Sequence, residues 1–517
     1  MPAVSPVSAV PLVFQATFFK QSFLNTKGLL TMKQRQRFIA ALAIAAISFA
    51  GLFDNVAGAA PPPPAKGCPR FGWAEGLNNY LKPDVAIPTS DTKVLPTPDC
   101  NFHQWSWEAF VWATALIKDP ASGAMVPRFL TLATPADLLT TGENAGEPKP
   151  RPLQLAARSD TFVGLPGFTE GAGAIVEADG NMLVAQNGYP VYASVHMNKS
   201  YFDTARKNLI ATGGYQSQPA SSSFDVGAAV FKATWLRLDP GQPPPAGAYT
   251  TQAEVPALET KVTPGLVTIQ PVPGRFVTAT VALVGLHVVG LTDNHPEFLW
   301  ATFEHKTNSP ATPDNTFTPS PTRKDPRSYT FYKGGTPFSQ VNIPLDPTSS
   351  PTRLVLDAAT QKITPPTNVV QENATGGENQ PNGPGNVIIL NSQAQKAVSG
   401  FTPPQSTFAN YDLIGTVWML PNSYNLNSNQ TDAVGSLDLA NATAETFIQN
   451  ADNAPIGKVL NCFLCHNPTS YSFQNPPPAK LPNRLIALSH VLAVGSPYEV
   501  PNLISGKLLL RPRVPGR

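Results

Sequence analysis

The chain has 517 residues, of which 42% are hydrophobic and only 14% are charged. Its net charge is +2, so it carries no basic field for nucleic acid, and we expect no nucleic-acid partner. Pro occurs 56 times, about twice its usual share. Because Pro lacks an N–H and fixes φ, a mainly helical chain is excluded. The composition therefore predicts a mainly β fold with a few helices.

The N-terminal segment has the layout of a secretory signal peptide. Basic residues lie within 33–37, an apolar run follows over 38–53, and small residues lead to an A-x-A-like site at 57–59. An internal Met directly precedes the basic residues, so we interpret residues 1–31 as an over-called start. The apolar run is shorter than the ~20 residues that cross a bilayer. We expect residues 1–59 to be removed on export, leaving a periplasmic or otherwise exported chain without a membrane span. An uncleaved membrane anchor is the alternative.

A helix followed by strands is predicted for the first half of the mature chain. Apolar residues recur at spacings of three and four over residues 102–116, with Asp99 as a candidate N-cap. Strand patterns follow at residues 191–196, 228–238, 266–271 and 275–289. A turn at residues 292–294 leads into a further strand candidate at 297–304. The last two strands are predicted to form a hairpin.

The second half of the chain differs from the first in composition and in its predicted elements. Residues 371–387 are rich in Gly, Asn and Pro, which is typical of a linker or long loop. A strand is predicted over residues 408–419. A helix is predicted over residues 437–449, with Ala440, Thr443 and Phe447 on one face.

One motif carries chemistry: Cys462-Phe463-Leu464-Cys465-His466, the Cys-x-x-Cys-His pattern of haem attachment. Two thiols at this spacing can add to the two vinyl groups of one haem, and the next imidazole reaches the iron from the same side. A redox dithiol does not require the His, and a zinc site needs two further ligands. The motif predicts one covalent haem c, with Cys462 and Cys465 as thioether residues and His466 as the proximal iron ligand.

The sequence offers several candidates for the iron ligand on the side opposite His466. No Met follows the motif, so the small globular cytochrome c fold with His/Met ligation is not expected. The one downstream histidine is His490, in an apolar stretch, and we expect it to be the distal iron ligand. An open or water-bound site is an alternative, and so is ligation by Met419 or an upstream His.

Three further groups of residues are candidates for structural or functional roles. Cys68 and Cys100 are an isolated pair, which in an oxidising compartment predicts a disulfide. His287, His295 and His305 lie close in sequence to Glu297 and Glu304. They could converge on a metal or on the distal face of the haem, but hydrogen-bonded structural pairs are the favoured interpretation. The three Trp of the first helix (Trp105, Trp107 and Trp112) are interpreted as core residues, with a haem-pocket lining as the alternative.

These observations suggest a domain layout. Residues 60–370 form a β-rich N-terminal domain, residues 371–390 a linker or loop, and residues 391–517 a C-terminal haem-bearing region.

Several segments resemble a known family. The residues are Phe102-His103-Gln104-Trp105-Ser106-Trp107, 295–305, 445–447, and the haem motif with Leu488-Ser489-His490. Together they resemble large exported bacterial proteins described as cytochrome c family proteins, and the resemblance spans most of the mature chain. It implies haem binding and electron transfer. β-Sheet cytochromes that oxidise hydroxylamine are similar in placing the motif near the C-terminus, although their chains are much shorter.

Three functions compete. The first is electron transfer in the periplasm with a redox partner. The second is a haem enzyme, a peroxidase or small-molecule oxidase with an open distal site. The third is a ligand-binding or sensing β protein with a haem. The long chain ahead of the motif exceeds what electron transfer needs, whereas the motif alone favours the first.

Overall fold

The computed structural model describes residues 73–90, 98–120, 122–138, 152–156, 181–211, 214–312, 317–345, 348, 353–374, 385–420, 422–428, 432–449, 461–469 and 482–493. All of them belong to one compact unit, Ala65–Arg517. The expected signal peptide, residues 1–59, and Cys68 lie outside the described residues.

The described elements are mostly strands. The α-helices are α1 (Pro98–Thr114), α2 (Pro135–Leu138), α3 (Lys199–Ile210) and α4 (Gly385–Ser399). The strands are β1 (Leu116–Lys118), β2 (Met125–Pro127), β3 (Val191–Met197), β4 (Ala229–Arg237), β5 (Thr250–Thr263), β6 (Leu266–Thr292), β7 (His295–His305), β8 (Val355–Asp357), β9 (Lys362–Thr364), β10 (Tyr411–Met419) and β11 (Ala433–Gly435). Short 3-10 helices connect several of them, and none of the described helices has both the length and the apolarity needed to cross a membrane.

Seven of the described strands form one antiparallel sheet. Its order is β11-β10-β7-β6-β4-β3, and β5 also pairs with β6. The fold is therefore mainly β with a few helices, as the composition predicts, and it is not the small globular cytochrome c fold.

The predicted hairpin is confirmed. β6 and β7 pair through Val289 with Trp300, His287 with Thr302, and Gly285 with Glu304. The two strand patterns at residues 266–271 and 275–289 belong to one continuous strand. It runs through Val272, Pro273 and Gly274, and its register against β5 shifts there. The strand expected from residue 408 begins at Tyr411, since Gln405–Asn410 forms a 3-10 helix.

One face of the sheet packs against α1. Phe110 stacks on Phe303 of β7 with ring centroids 4.1 Å apart. The three Trp side chains of α1 (Trp105, Trp107 and Trp112) are buried, which confirms their interpretation as core residues. Asp99 is not the N-cap, because the helix already begins at Pro98, where the fixed φ of Pro suits a first helical position.

The opposite face is covered by a polar loop where a helix was expected. Within residues 437–449, only Thr446–Ile448 is helical, and it is a 3-10 helix. The Glu445 carboxylate accepts a hydrogen bond from the Asn441 N–H at 2.8 Å, and the Asn441 side chain accepts one from the Thr443 N–H at 2.8 Å. These side chains satisfy backbone groups that a helix would pair internally, so the helix prediction was wrong.

The sheet takes strands from both sides of the expected linker, residues 371–390. β10 follows that segment, and its Val417 pairs with Trp300 of β7, which precedes it. At the ends of the segment, Gln371 is buried and α4 starts at Gly385.

Candidate haem attachment site

The Cys-x-x-Cys-His motif winds into a single helical turn. Cys462–Leu464 is a 3-10 helix, and the carbonyl of Cys462 accepts hydrogen bonds from the N–H groups of Cys465 at 3.3 Å and His466 at 2.8 Å. Side chains three and four residues apart on such a turn share one side. The local winding therefore gathers the two thiols and the imidazole, as attachment to a single macrocycle requires.

Neighbouring side chains hold this turn in place. The Asn461 side chain caps it by accepting from the Phe463 N–H at 3.0 Å. At the other end, the Asn467 amide donates to the carbonyls of Phe463 and Leu464, each at 3.1 Å. The Phe463 side chain is fully buried, so it anchors the turn to the protein interior.

The turn borders an apolar cluster. Cys462 is half-buried and packs against this cluster. Its buried members include Phe298, Trp300, Met419, Phe463, Ile486 and Leu488. Such surroundings suit the apolar faces of a macrocycle.

The imidazole of His466 has a fixed tautomer. Its Nδ1 lies 2.7 Å from the carbonyl oxygen of Leu488. A carbonyl only accepts, so Nδ1 carries the proton and the lone pair of the neutral ring is on Nε2. Metal-binding histidines commonly donate their second nitrogen to a carbonyl, because this orients the ring and raises its basicity. The donor set of two thiols and this imidazole therefore fits a c-type haem.

Two aromatic rings stack on the His466 ring. The Trp300 ring centroid lies 4.3 Å away with planes 29° apart, and the His490 centroid lies 4.2 Å away with planes 21° apart. The Trp300 indole is itself oriented, because its Nε1 donates to the carbonyl of Glu297 at 2.8 Å. Sequence reasoning missed Trp300 as a site residue, although it lies within the 295–305 segment that carries the family resemblance.

The structure brings His490 to the motif. Its ring lies face to face with His466, and its Nε2 is 3.1 Å from the carbonyl oxygen of Cys465. Met419, an alternative ligand, is buried in the same apolar cluster as Trp300.

The segment carrying His490 is fixed by contacts that the sequence does not signal. Tyr201 bonds to Ser489 through their hydroxyls, and the Tyr424 hydroxyl donates to the carbonyl of Leu485 at 2.5 Å. Burial raises the pKa of Tyr201 to about 12, so this phenol keeps its proton at neutral pH. The N–H of Leu485 donates to the carbonyl of Ala220 at 3.0 Å.

The histidines of β6 and β7 form separate structural contacts. His295 lies 2.7 Å from Glu297, and His287 lies 3.3 Å from Glu445. His305 Nδ1 lies 2.9 Å from the Thr307 hydroxyl. Over the described ranges, no group of three or more His, Cys, Asp or Glu is arranged to hold a metal ion. The favoured interpretation of hydrogen-bonded pairs is confirmed for His295.

Two carboxylates on the loop-covered side, the buried Glu304 and the half-buried Glu445, have opposite pKa shifts. Burial raises the pKa of Glu304 to about 7, although the Ala442 N–H and Gln371 amide donate to it. Burial also acts to raise the pKa of Glu445, but His287 holds that pKa below its usual value. Since His287 pairs with Thr302, two residues from Trp300 along β7, this polar network lies next to the site on one face of the sheet.

Comparison with protein-family models, with curated proteins and with solved structures finds no match for this chain.

Proposed function

We propose that the chain is a periplasmic c-type cytochrome with one covalent haem, bound by Cys462 and Cys465, ligated by His466, and used for electron transfer to a redox partner. When bound, the haem supplies a reversible one-electron couple. Two features seen together carry the proposal. The Cys-x-x-Cys-His motif forms a single helical turn, and the carbonyl oxygen of Leu488 lies 2.7 Å from His466 Nδ1.

The protein's own residues would prepare this site in three ways. The turn holds the two thiols on one side of the backbone. The Leu488 carbonyl keeps the proton on Nδ1, which directs the Nε2 lone pair to the iron. The apolar cluster limits water around the site, and a low-dielectric environment disfavours the more highly charged ferric state.

The test is haem content and redox behaviour of the exported protein. We expect a pyridine haemochrome of the c type with one haem per chain, and a reversible one-electron titration. Cys462→Ala together with Cys465→Ala should abolish covalent attachment, whereas Cys100→Ala should not. Haem that extracts into acidified acetone from the wild type would refute the proposal.

The stacked position of His490 favours a second candidate. If His490 leaves the sixth coordination position open, the protein fits a haem enzyme, a peroxidase or small-molecule oxidase. The ferrous protein would then bind CO and the ferric protein would react with peroxide. A six-coordinate low-spin haem inert to both would support electron transfer instead.

A further inference from the structure

We propose that His490 is a positioning residue that fixes the ring of His466, and that it is not an axial ligand of the iron. This inference rests on the haem attachment proposed above. It deepens that proposal by assigning the second imidazole of the site.

The stacking geometry is the first argument. The two imidazole planes are 21° apart and their centroids are 4.2 Å apart. An imidazole donates its lone pair in its own ring plane, so two axial ligands approach one iron along a common line from opposite sides. Rings in that relation lie end to end. Face-to-face stacking instead places His490 beside the proximal ligand.

The hydrogen bonds are the second argument. His490 Nε2 lies 3.1 Å from the carbonyl oxygen of Cys465, so it donates its proton to the motif. In return, His466 Nδ1 donates to Leu488, two residues before His490. The two segments thus exchange hydrogen bonds across the stacked rings. This exchange ties the orientation of His466 to the backbone of the 485–490 segment.

The segment that carries His490 is also held in place by hydrogen bonds. The flanking residues Ser489 and Leu485 are held by the hydroxyls of Tyr201 and Tyr424. To ligate iron from the other side, His490 would have to leave both its ring partner and its carbonyl acceptor. The role that fits these contacts is to set the rotation of the His466 ring.

The test compares three variants of the full, exported, haem-loaded chain. His490→Phe keeps a ring for stacking but has no ligating nitrogen. His490→Ala removes the ring and the bond to Cys465. Val491→Ala is the matched control, because Val491 belongs to the same 3-10 helix and packs on the same apolar cluster. The readouts are covalent haem content, ferric spin state, electron paramagnetic resonance g-values and CO binding by the ferrous protein.

We expect His490→Phe to keep the wild-type spin state and CO behaviour. His490→Ala should keep the same ligands but shift the g-values, because the His466 ring loses one of its two stacking partners and rotates about its bond to the iron. Val491→Ala should shift neither. If both His490 variants change from low-spin to high-spin and gain CO binding, His490 is a ligand and the proposal is overturned. Unchanged g-values in His490→Ala would overturn it as well.

Failure of the proposed function and failure of the inference about His490 can be distinguished. Wild-type protein without covalent haem would overturn the proposed function itself, and the inference with it. If the His490 variants do not take up haem, the wild-type ferric near-infrared spectrum decides. A bis-imidazole charge-transfer band would overturn the inference, because the five histidines other than His466 and His490 are held in contacts elsewhere. The absence of the band would support it.

Discussion

The helix α1 and the haem-motif segment differ in what holds them to the same sheet. α1 is buried on nearly all sides, and its aromatic side chains pack against β7 and β10. Residues 461–469 and 482–493 form short 3-10 turns held by side chain to backbone hydrogen bonds. Their buried apolar side chains include one ring, Phe463, and the aliphatic Ile486, Leu488 and Leu492. Packing over a large apolar area should withstand single changes in hydrogen bonding, whereas the motif segment should be sensitive to them.

The largest effect is expected from truncating the aromatic packing of α1. Phe110 is fully buried and stacks on Phe303, so Phe110→Ala should lower the free energy of unfolding by about 3–5 kcal/mol. Phe463→Ala removes an equally buried ring, but from residues 461–469, where it is the one buried aromatic side chain. It should release that segment locally, which raises proteolysis within it while the sheet stays folded.

Thermal unfolding and limited proteolysis of the two variants check this contrast. Phe110→Leu serves as control and should cost less than Phe110→Ala. Global unfolding of the Phe463→Ala variant at the same temperature as Phe110→Ala would show that the two regions are one cooperative unit.

These two regions also differ in how far sequence predicts them. Five strands of the seven-stranded sheet (β3, β4, β6, β7 and β10) and α1 are predicted from the pattern of apolar residues, whereas β5, α3 and α4 are not. The haem motif is predicted because its chemistry depends on five consecutive residues. The partners of His466 do not follow, because Trp300 and Leu488 are brought to it by tertiary packing. The helix predicted at residues 437–449 failed because Asn441 and Glu445 bond to the backbone, which periodicity does not register.

The next effect concerns pH. Burial raises the pKa of Glu304 to about 7 from its usual 4.5, so the folded state holds this proton more tightly. The corresponding stability is fully present below pH 4.5 and is lost as the pH rises through 7, a change of about 3 kcal/mol. Glu304→Gln keeps an acceptor for Gln371 and Ala442 but cannot ionise. It should flatten the dependence of unfolding free energy on pH over this range.

Glu445→Gln is the matched comparison. The pKa of Glu445 is lowered, so its contribution is present above its usual pKa and lost as the pH falls below it. That substitution should leave the loss of stability between pH 4.5 and 7 in place. Equal flattening by both substitutions in chemical denaturation would argue against Glu304 as the source.

The smallest effect is expected at the cap of the motif turn. The Asn461 side chain accepts from the Phe463 N–H at 3.0 Å, and removing such a cap costs about 1 kcal/mol. Asn461→Ala should therefore reduce the fraction of chains carrying covalent haem, whereas Asn461→Asp, which retains the acceptor, should not. Equal loading of both variants, measured from the ratio of haem to protein absorbance, would show that the cap does not matter for attachment.

The central claim is that Cys462 and Cys465 carry one covalent haem, and the intact mass of the denatured, exported protein tests it most directly. The account predicts the mass of the processed polypeptide plus one haem, and its loss when both cysteines are replaced by Ala. A mass equal to the polypeptide alone, with both thiols open to alkylation, would contradict it.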